Sequence, residues 1–215
     1  MGTAMTENSS AIHKQVHRAD LNDQRELADL FEQHRERLKQ MVRLRLDRRL
    51  QGRVDASDVI QEAYLECAKR FAEYQANPSM PLYLWMRFLT GQKLIDLHRE
   101  HLGTKMRGAG QEVSLYRGAL PQASSVSLAA QLLGRLTTAS QAAIRAETQI
   151  RVQEALNNMD PIDREVLALK HFEQLSTAEI AEVLGLSKAG AGSRYLRAIK
   201  RLREILSRIP GFEAF

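Results

Sequence analysis

The sequence predicts an all-α chain: two small helical domains joined by a flexible linker. Three observations carry this. Apolar residues recur at three- and four-residue spacing along most of the 215 residues, and strand-like alternation is scarce. Aromatic content is only 6% and the chain holds 12 glycines, which argues against an all-β fold, while 44% apolar residues are ample for buried cores. From Gly103 to about Ser140 the composition changes: KMRGAGQEVSLYRGALPQASSVS is rich in Gly, Ser, Ala and Gln, with Glu112 its single acid. These boundaries give an N-terminal arm at 1–22, a first domain at 23–102, a linker at 103–142 and a second domain at 143–209.

The arm, beginning MGTAMTENSS, is polar and expected to fray. From Asp23 to Leu50, Leu27, Leu30, Phe31, His34, Leu38, Met41 and Val42 space as one helix face, and Gly52 is placed to stop the helix. A second helix is expected over Ala56–Tyr74, capped by Asp55 or Ser57. Val59, Ile60, Ala63, Tyr64, Cys67, Ala68 and Phe71 line one side of it, and Asp58, Gln61, Glu62 and Glu66 the other. NPSMP breaks the chain. A third helix follows at Leu82–His101. Its apolar set is Leu84, Trp85, Phe88, Leu89, Ile95 and Leu97; its polar set is Arg87, Gln92, Lys93, His98, Arg99 and His101. Aromatics interleaved with cations are one way of gripping unstacked bases, although a core Trp beside a solvated basic face explains the same composition.

Within the linker, SVSLAAQLLGRL has the pattern of a short helix. Ala139–Asn157 is helical, and in MDPIDREVLALKHF Asp160 caps a further helix with Pro161 at its first position, where the missing N–H is not needed. LSTAEIAEVLGLSKAGAGSRYLRAIKRLR then reads as two helices about a tight turn. Ser176 or Thr177 caps the first, Glu179 sits where a capping-box acid reaches back, and Gly185 supplies a left-handed turn. Ser187 caps the second. From Lys188 to Arg203 there are six Lys or Arg and no acid. Leu196, Ile199 and Leu202 are expected to face inward; Arg194, Arg197 and Arg201 outward. This is the layout of a helix-turn-helix, whose second helix enters the major groove.

Charge points the same way. A formal net charge of +5 and a pI near 9.5 favour an acidic partner, nucleic acid first. One cysteine excludes an internal disulfide and a multi-cysteine zinc site. His98 and His101 stand i, i+3, but no carboxylate or Cys set completes four ligands, so neither metal nor cofactor is expected. No run of ~18 apolar residues and no signal-peptide core is present, which predicts a cytoplasmic protein with no membrane insertion.

Two separated motif sets resemble the bacterial RNA polymerase sigma factors of the sigma-70 superfamily, in the small extracytoplasmic-function group. The likeness spans about residues 25–102 and 147–208. DASDVIQEAYLECAKRF resembles the family segment that binds the polymerase β′ clamp helices, with its D-x-x-Q-E core at Asp58, Gln61 and Glu62. LYLWMRFLTGQKLIDLHRE resembles the helix that reads the −10 promoter element, with Trp85, Gln92, Asp96 and Arg99 at matching positions and Gln92 where the family more often has Asn. Arg87 and Lys93 lie on the same helix and join that set. MDPIDREVLALKHFEQLSTAEIAEVLGLS resembles the sequence around the −35-reading helix-turn-helix. Its recognition-helix start, of the form G-T-V-K-S-R in the family, is here Ala189-Gly190-Ala191-Gly192-Ser193-Arg194. The resemblance implies two small domains, a sigma region 2 bundle and a sigma region 4 helix-turn-helix. It implies core polymerase (β′ clamp helices and β flap) and promoter DNA as partners, an anti-sigma protein as a further one, and no chemistry in the chain itself. The −35 contacts expected are Lys188, Gly190, Ser193, Arg194, Arg197 and Lys200.

Two other readings are weighed against this. A stand-alone helix-turn-helix regulator fits the second domain equally well but leaves the Asp58–Gln61–Glu62 strip and the Trp85 helix unexplained. A metal-dependent helical enzyme would use Asp55, Asp58, Glu62 and Glu66, which share a helix face; no His or Gly-rich phosphate loop supports it.

Overall fold

A computed structural model describes residues 4–102, 120–136 and 142–207, which form eight helices and no strand. They are α1 (Ala4–Arg45), α2 (Ala56–Ala76), α3 (Leu82–Leu102), α4 (Ser125–Leu136), α5 (Ala142–Asn157), α6 (Pro161–His171), α7 (Thr177–Leu184) and α8 (Lys188–Leu206).

The first three helices form one layer of packing. Leu27, Phe31, Leu38, Met41 and Val42 of α1 meet Val59, Ile60, Ala63, Cys67 and Phe71 of α2 and Leu84, Met86, Leu89 and Leu94 of α3. The α2 set is the predicted one, except that Ala68 is exposed. Burial pushes the Cys67 thiol up to about 12, so it behaves as a small apolar side chain. Asp55, not Ser57, caps α2: its carboxylate accepts the Ser57 N–H at 2.6 Å. At the NPSMP break the Tyr74 hydroxyl donates to the Met80 carbonyl at 2.8 Å.

α1 differs from expectation at both ends. It begins at Ala4, within the stretch expected to fray, and stops at Arg45 rather than near Leu50. The early stop has a local cause. The Asp47 carboxylate accepts both the backbone N–H and the guanidinium of Arg49, folding the chain, while Leu46 and Leu50 turn into the core. Buried His98 accepts the Asp47 N–H at 3.3 Å. Gly52 then takes φ 90°, which favours glycine.

The second core joins α4, α5, α6 and α8 through Leu128, Leu133, Val152, Leu156, Leu167, Phe172, Ala198 and Leu202. Residues 120–136, expected within the linker, are packed. Leu128, Ala129 and Leu133 are buried, as the spacing of SVSLAAQLLGRL permits. The Ser124 N–H donates to the Leu44 carbonyl at 2.9 Å, and the Ala123 N–H to the Glu165 carboxylate at 3.0 Å. Composition marks such a stretch as loop; its amphipathic pattern and a waiting surface make it helix. The remainder of the expected linker, residues 1–3 and the chain beyond 207 lie outside the described residues.

The two cores are continuous. Val166, Leu169, Leu175 and Ile180 pack into the α1–α3 cluster, and Leu44 of α1 packs into the other. Leu120 also lies against Gly91 of α3, where an added Cβ would collide with the leucine side chain. Gly91→Val is therefore expected to displace the 120–136 segment and to lower stability by about 1–3 kcal/mol, the usual cost of overpacking. Urea denaturation checks this, with the midpoint falling.

Candidate functional site: a helix-turn-helix and an acidic strip

The second half presents a short helix, a turn and a longer basic helix. Of the two available caps on α7, Ser176 is used: its Oγ accepts the Glu179 N–H at 3.2 Å while the Glu179 carboxylate accepts the Ser176 N–H at 2.7 Å. Gly185 ends α7 at φ 61°. Ser187 caps α8 by accepting the Gly190 N–H at 3.0 Å. A Cβ at 190 would stand 3.0 Å from that hydroxyl, so glycine there leaves the cap undisturbed; at 192 the nearest neighbour would be a Thr177 methyl 4.0 Å away.

Ala191, Ala198, Leu202 and Leu206 form the buried face of α8, with Tyr195 and Ile199 half-buried. Leu196, expected to face inward, is 66% exposed. The buried stripe runs through 191, 195, 198, 202 and 206, and residue 196 is one position, about 100°, round the helix from it. Lys188, Ser193, Arg197 and Lys200 are exposed, and no described carboxylate pairs with the three cations. Arg194 is used differently. It donates to Asp163 at 2.8 Å and lies 3.4 Å from Asp160, tying α8 to the start of α6. Asp160 caps α6 by accepting the Ile162 N–H at 2.8 Å, and that bond holds its carboxyl below the usual range.

In the first half, Asp58, Gln61 and Glu62 are exposed together on α2. Asp58 also accepts the Asp55 N–H at 3.2 Å, completing a capping box. Beside Gln61 lies a groove of about 250 Å³ lined by Phe31, Ile60, Tyr64, Glu32 and Arg35. The residues singled out on α3 are dispersed. Trp85 is buried and stacks on Tyr74 at 4.6 Å, so it packs rather than offering an open face. Arg87, expected in the outward polar set, is 3% exposed. Gln92 is half-buried, Lys93 lies 3.4 Å from Glu66, and Asp96 and Arg99 are exposed as a loose pair at 3.7 Å.

The metal-cluster reading fails on geometry. Asp55 and Asp58 are engaged in the α2 cap, and Glu66 pairs with Arg70 at 2.7 Å as well as with Lys93. Among the described residues no group of three potential ligands converges, and no helix is long and apolar enough to cross a membrane.

Residues 149–202, from α5 through the basic face of α8, match the family model described as Sigma-70, region 4. The chain belongs to the sigma-70 family, in its extracytoplasmic-function group. Relatives include a probable RNA polymerase sigma factor, RfaY, of Xanthomonas campestris pv. campestris, 26% identical over 73% of this chain and 36% of that protein. The ECF RNA polymerase sigma factor SigK of Mycobacterium ulcerans is 24% identical over 70% of this chain and 72% of its own length. An RNA polymerase sigma-E factor of Streptomyces antibioticus is 42% identical over 26% of this chain and 31% of that protein. The chain thus spans about a third of the length of the Xanthomonas and Streptomyces relatives. Among solved structures, CnrH in complex with the cytosolic domain of CnrY shares the fold, with a TM-score of 0.50 and 22% identity over 89% of this chain and 94% of that one.

One cluster escaped the sequence reading. Glu173, in the α6–α7 turn, is fully buried between Arg87 of α3 (2.7 Å) and Arg45 of α1 (2.5 Å), and Arg45 also pairs with Glu165. Burial alone would raise the Glu173 carboxyl; the Arg45 and Arg87 guanidiniums overcome it and hold the group below its ordinary 4.5. The signal was present in part. Arg45 continues the Leu38–Met41–Val42 stripe, and Arg87 lies between Leu84 and Leu94 on the buried face of α3, so both guanidiniums sit where a leucine was expected.

Two outcomes are expected. Because the folded Glu173 carboxyl is depressed, its contribution is fully present above its ordinary value and is lost as pH falls below 4.5. Thermal midpoints measured from pH 7 down to 4 should therefore drop at the acid end, and less steeply in Glu173→Gln. Gly192→Ala, at an uncrowded helical position, should add up to about 1 kcal/mol of stability. If the α8 backbone approaches phosphate there, the same variant should bind duplex DNA more weakly, read by fluorescence anisotropy.

Proposed function

We propose that this chain is a transcription initiation factor that binds core RNA polymerase and directs it to promoters with paired −10 and −35 elements. The observation that carries the reading is the region 4 match over a capped helix-turn-helix whose long helix turns Lys188, Arg197 and Lys200 to solvent. Cations so presented neutralise phosphates and release counterions. Lys188, Gly190, Ser193, Arg197 and Lys200 form the proposed −35 surface. Arg194 joins it only by exchanging Asp160 and Asp163 for DNA.

Residues 23–102 are the proposed polymerase- and −10-binding domain and 143–209 the −35 domain. The exposed Asp58–Gln61–Glu62 strip suits charge-assisted bonds to arginines on a partner coiled coil, and the groove edged by Phe31 and Tyr64 offers apolar contact beside it. Gln92, Lys93, Asp96 and Arg99 are the −10 contacts, with Trp85 as packing support and Arg87 buried in the present arrangement. The polymerase supplies the reaction; this chain supplies specificity, in the cytoplasm. The solved neighbour's complex with the cytosolic domain of CnrY supports a regulatory protein partner, an anti-sigma protein, for this chain as well.

Pull-down of bacterial core polymerase, followed by run-off transcription from a fragment library, tests the reading. Stable 1:1 binding with new start sites is expected. Duplex binding without core binding would favour the stand-alone regulator. Gln61→Ala with Glu62→Ala, chosen because Asp58 also caps α2, should cut affinity for core at least about tenfold, a loss of about 1.4 kcal/mol or more. The affinity of the same variant for duplex DNA should be unchanged.

A further inference from the structure

The two halves of the chain meet around a carboxylate held by arginines. Glu173 comes from the second half, in the turn between α6 and α7. Its side chain reaches Arg87 of α3 and Arg45 of α1, and all three side chains are out of water. A third arginine of the first half takes the backbone of the same turn. Arg37 donates from Nε to the Glu173 carbonyl at 3.0 Å and from a terminal nitrogen to the Gln174 carbonyl at 3.1 Å, with its guanidinium 3.7 Å over the Tyr83 ring. Gln174 adopts φ 57°, a left-handed conformation that costs a non-glycine residue energy. The turn is thus gripped at its side chain and at two carbonyls, and every one of these bonds crosses between the halves.

We propose that Glu173 is the bolt of a latch that closes the two halves of the free chain on each other, and that Arg87 becomes accessible to promoter DNA only when this latch opens. Three features argue for a latch above a merely buried ion pair. First, buried ion pairs add little stability over apolar packing of similar shape, so their best-attested uses are in register and switching. Second, each half keeps apolar packing of its own, α1–α3 on one side and α4, α5, α6 and α8 on the other. Loss of the bolt can therefore be relieved by separation rather than by unfolding. Third, Arg87 lies on the helix that carries Gln92, Lys93, Asp96 and Arg99. It cannot pair with Glu173 and contact DNA at once, so closure and promoter engagement compete for one guanidinium.

The consequence for binding rests on the transcription reading; closure itself does not. Small-angle scattering on the full-length free protein, with helical content followed by circular dichroism, reads closure directly. Glu173→Gln keeps the shape and removes the charge. It should raise the radius of gyration by several ångströms with helical content unchanged. Should Glu173→Gln lose helix, Glu173→Asp, which keeps the charge but withdraws it by one methylene, is read the same way. A variant that stays as compact as the wild type overturns the latch. Affinity for core polymerase should rise at least about tenfold in the open variant, because a mostly closed chain binds with an affinity scaled by its open fraction. An expanded variant that binds core no more tightly than the wild type overturns the competition. If neither protein binds core, the transcription reading fails and scattering alone decides the latch.

Discussion

Burial of the Glu173 carboxylate is tolerable only because two guanidiniums are buried with it. A carboxylate taken out of water loses hydration that must be replaced by close, well-directed partners. Arg87 at 2.7 Å and Arg45 at 2.5 Å provide them, and Glu165 gives Arg45 a second carboxylate. Much of the arrangement depends on this group of charges. It fixes where the α6–α7 turn meets α1 and α3, and Glu165 in turn accepts the N–H that begins the docked 120–136 segment. Arginine suits the task because its planar head keeps its charge and offers donors in a fixed fork. Burial would lower the Arg45 pKa, and the Glu165 and Glu173 carboxylates raise it instead.

The same residue type does three kinds of work in this sigma-70-family chain, and environment decides which. Arg45 and Arg87 are internal. Arg194 is half-buried and stitches α8 to the capped start of α6. Arg197, with Lys188 and Lys200, stands exposed on the recognition helix, where cations are suited to phosphate. The helix-turn-helix that carries them is built from local chemistry, namely the Ser176–Glu179 box, the left-handed Gly185 and the Ser187 cap. Its geometry therefore rests little on the rest of the fold.

Local signals in the sequence were read well. The caps at Asp55, Asp160, Ser176 and Ser187, the breaks at Gly52 and Gly185, and the inward faces of α2 and α7 follow from side chains acting on backbone within a few residues. The short helix inside the expected linker was legible as pattern, though its packing was not. The recognition helix was legible as a basic amphipath but its face was misjudged at Leu196. Short residues at 191 and 198 mark the true seam, and a search for large apolar side chains passes over them.

By itself, the sequence determined an all-helical chain, its helix starts and stops, and the motifs that identify its family. Those features depend on contacts between near neighbours, which the order of residues fixes directly. Tertiary structure decided that residues 120–136 dock, that Trp85 stacks inside, that Arg194 is held by two aspartates, and that Arg45, Arg87 and Glu173 meet. Those partners are separated by tens to more than a hundred positions. A lone charge on an apolar stripe announces that it needs a partner without saying which one, and only packing in three dimensions brings the complementary charge to it.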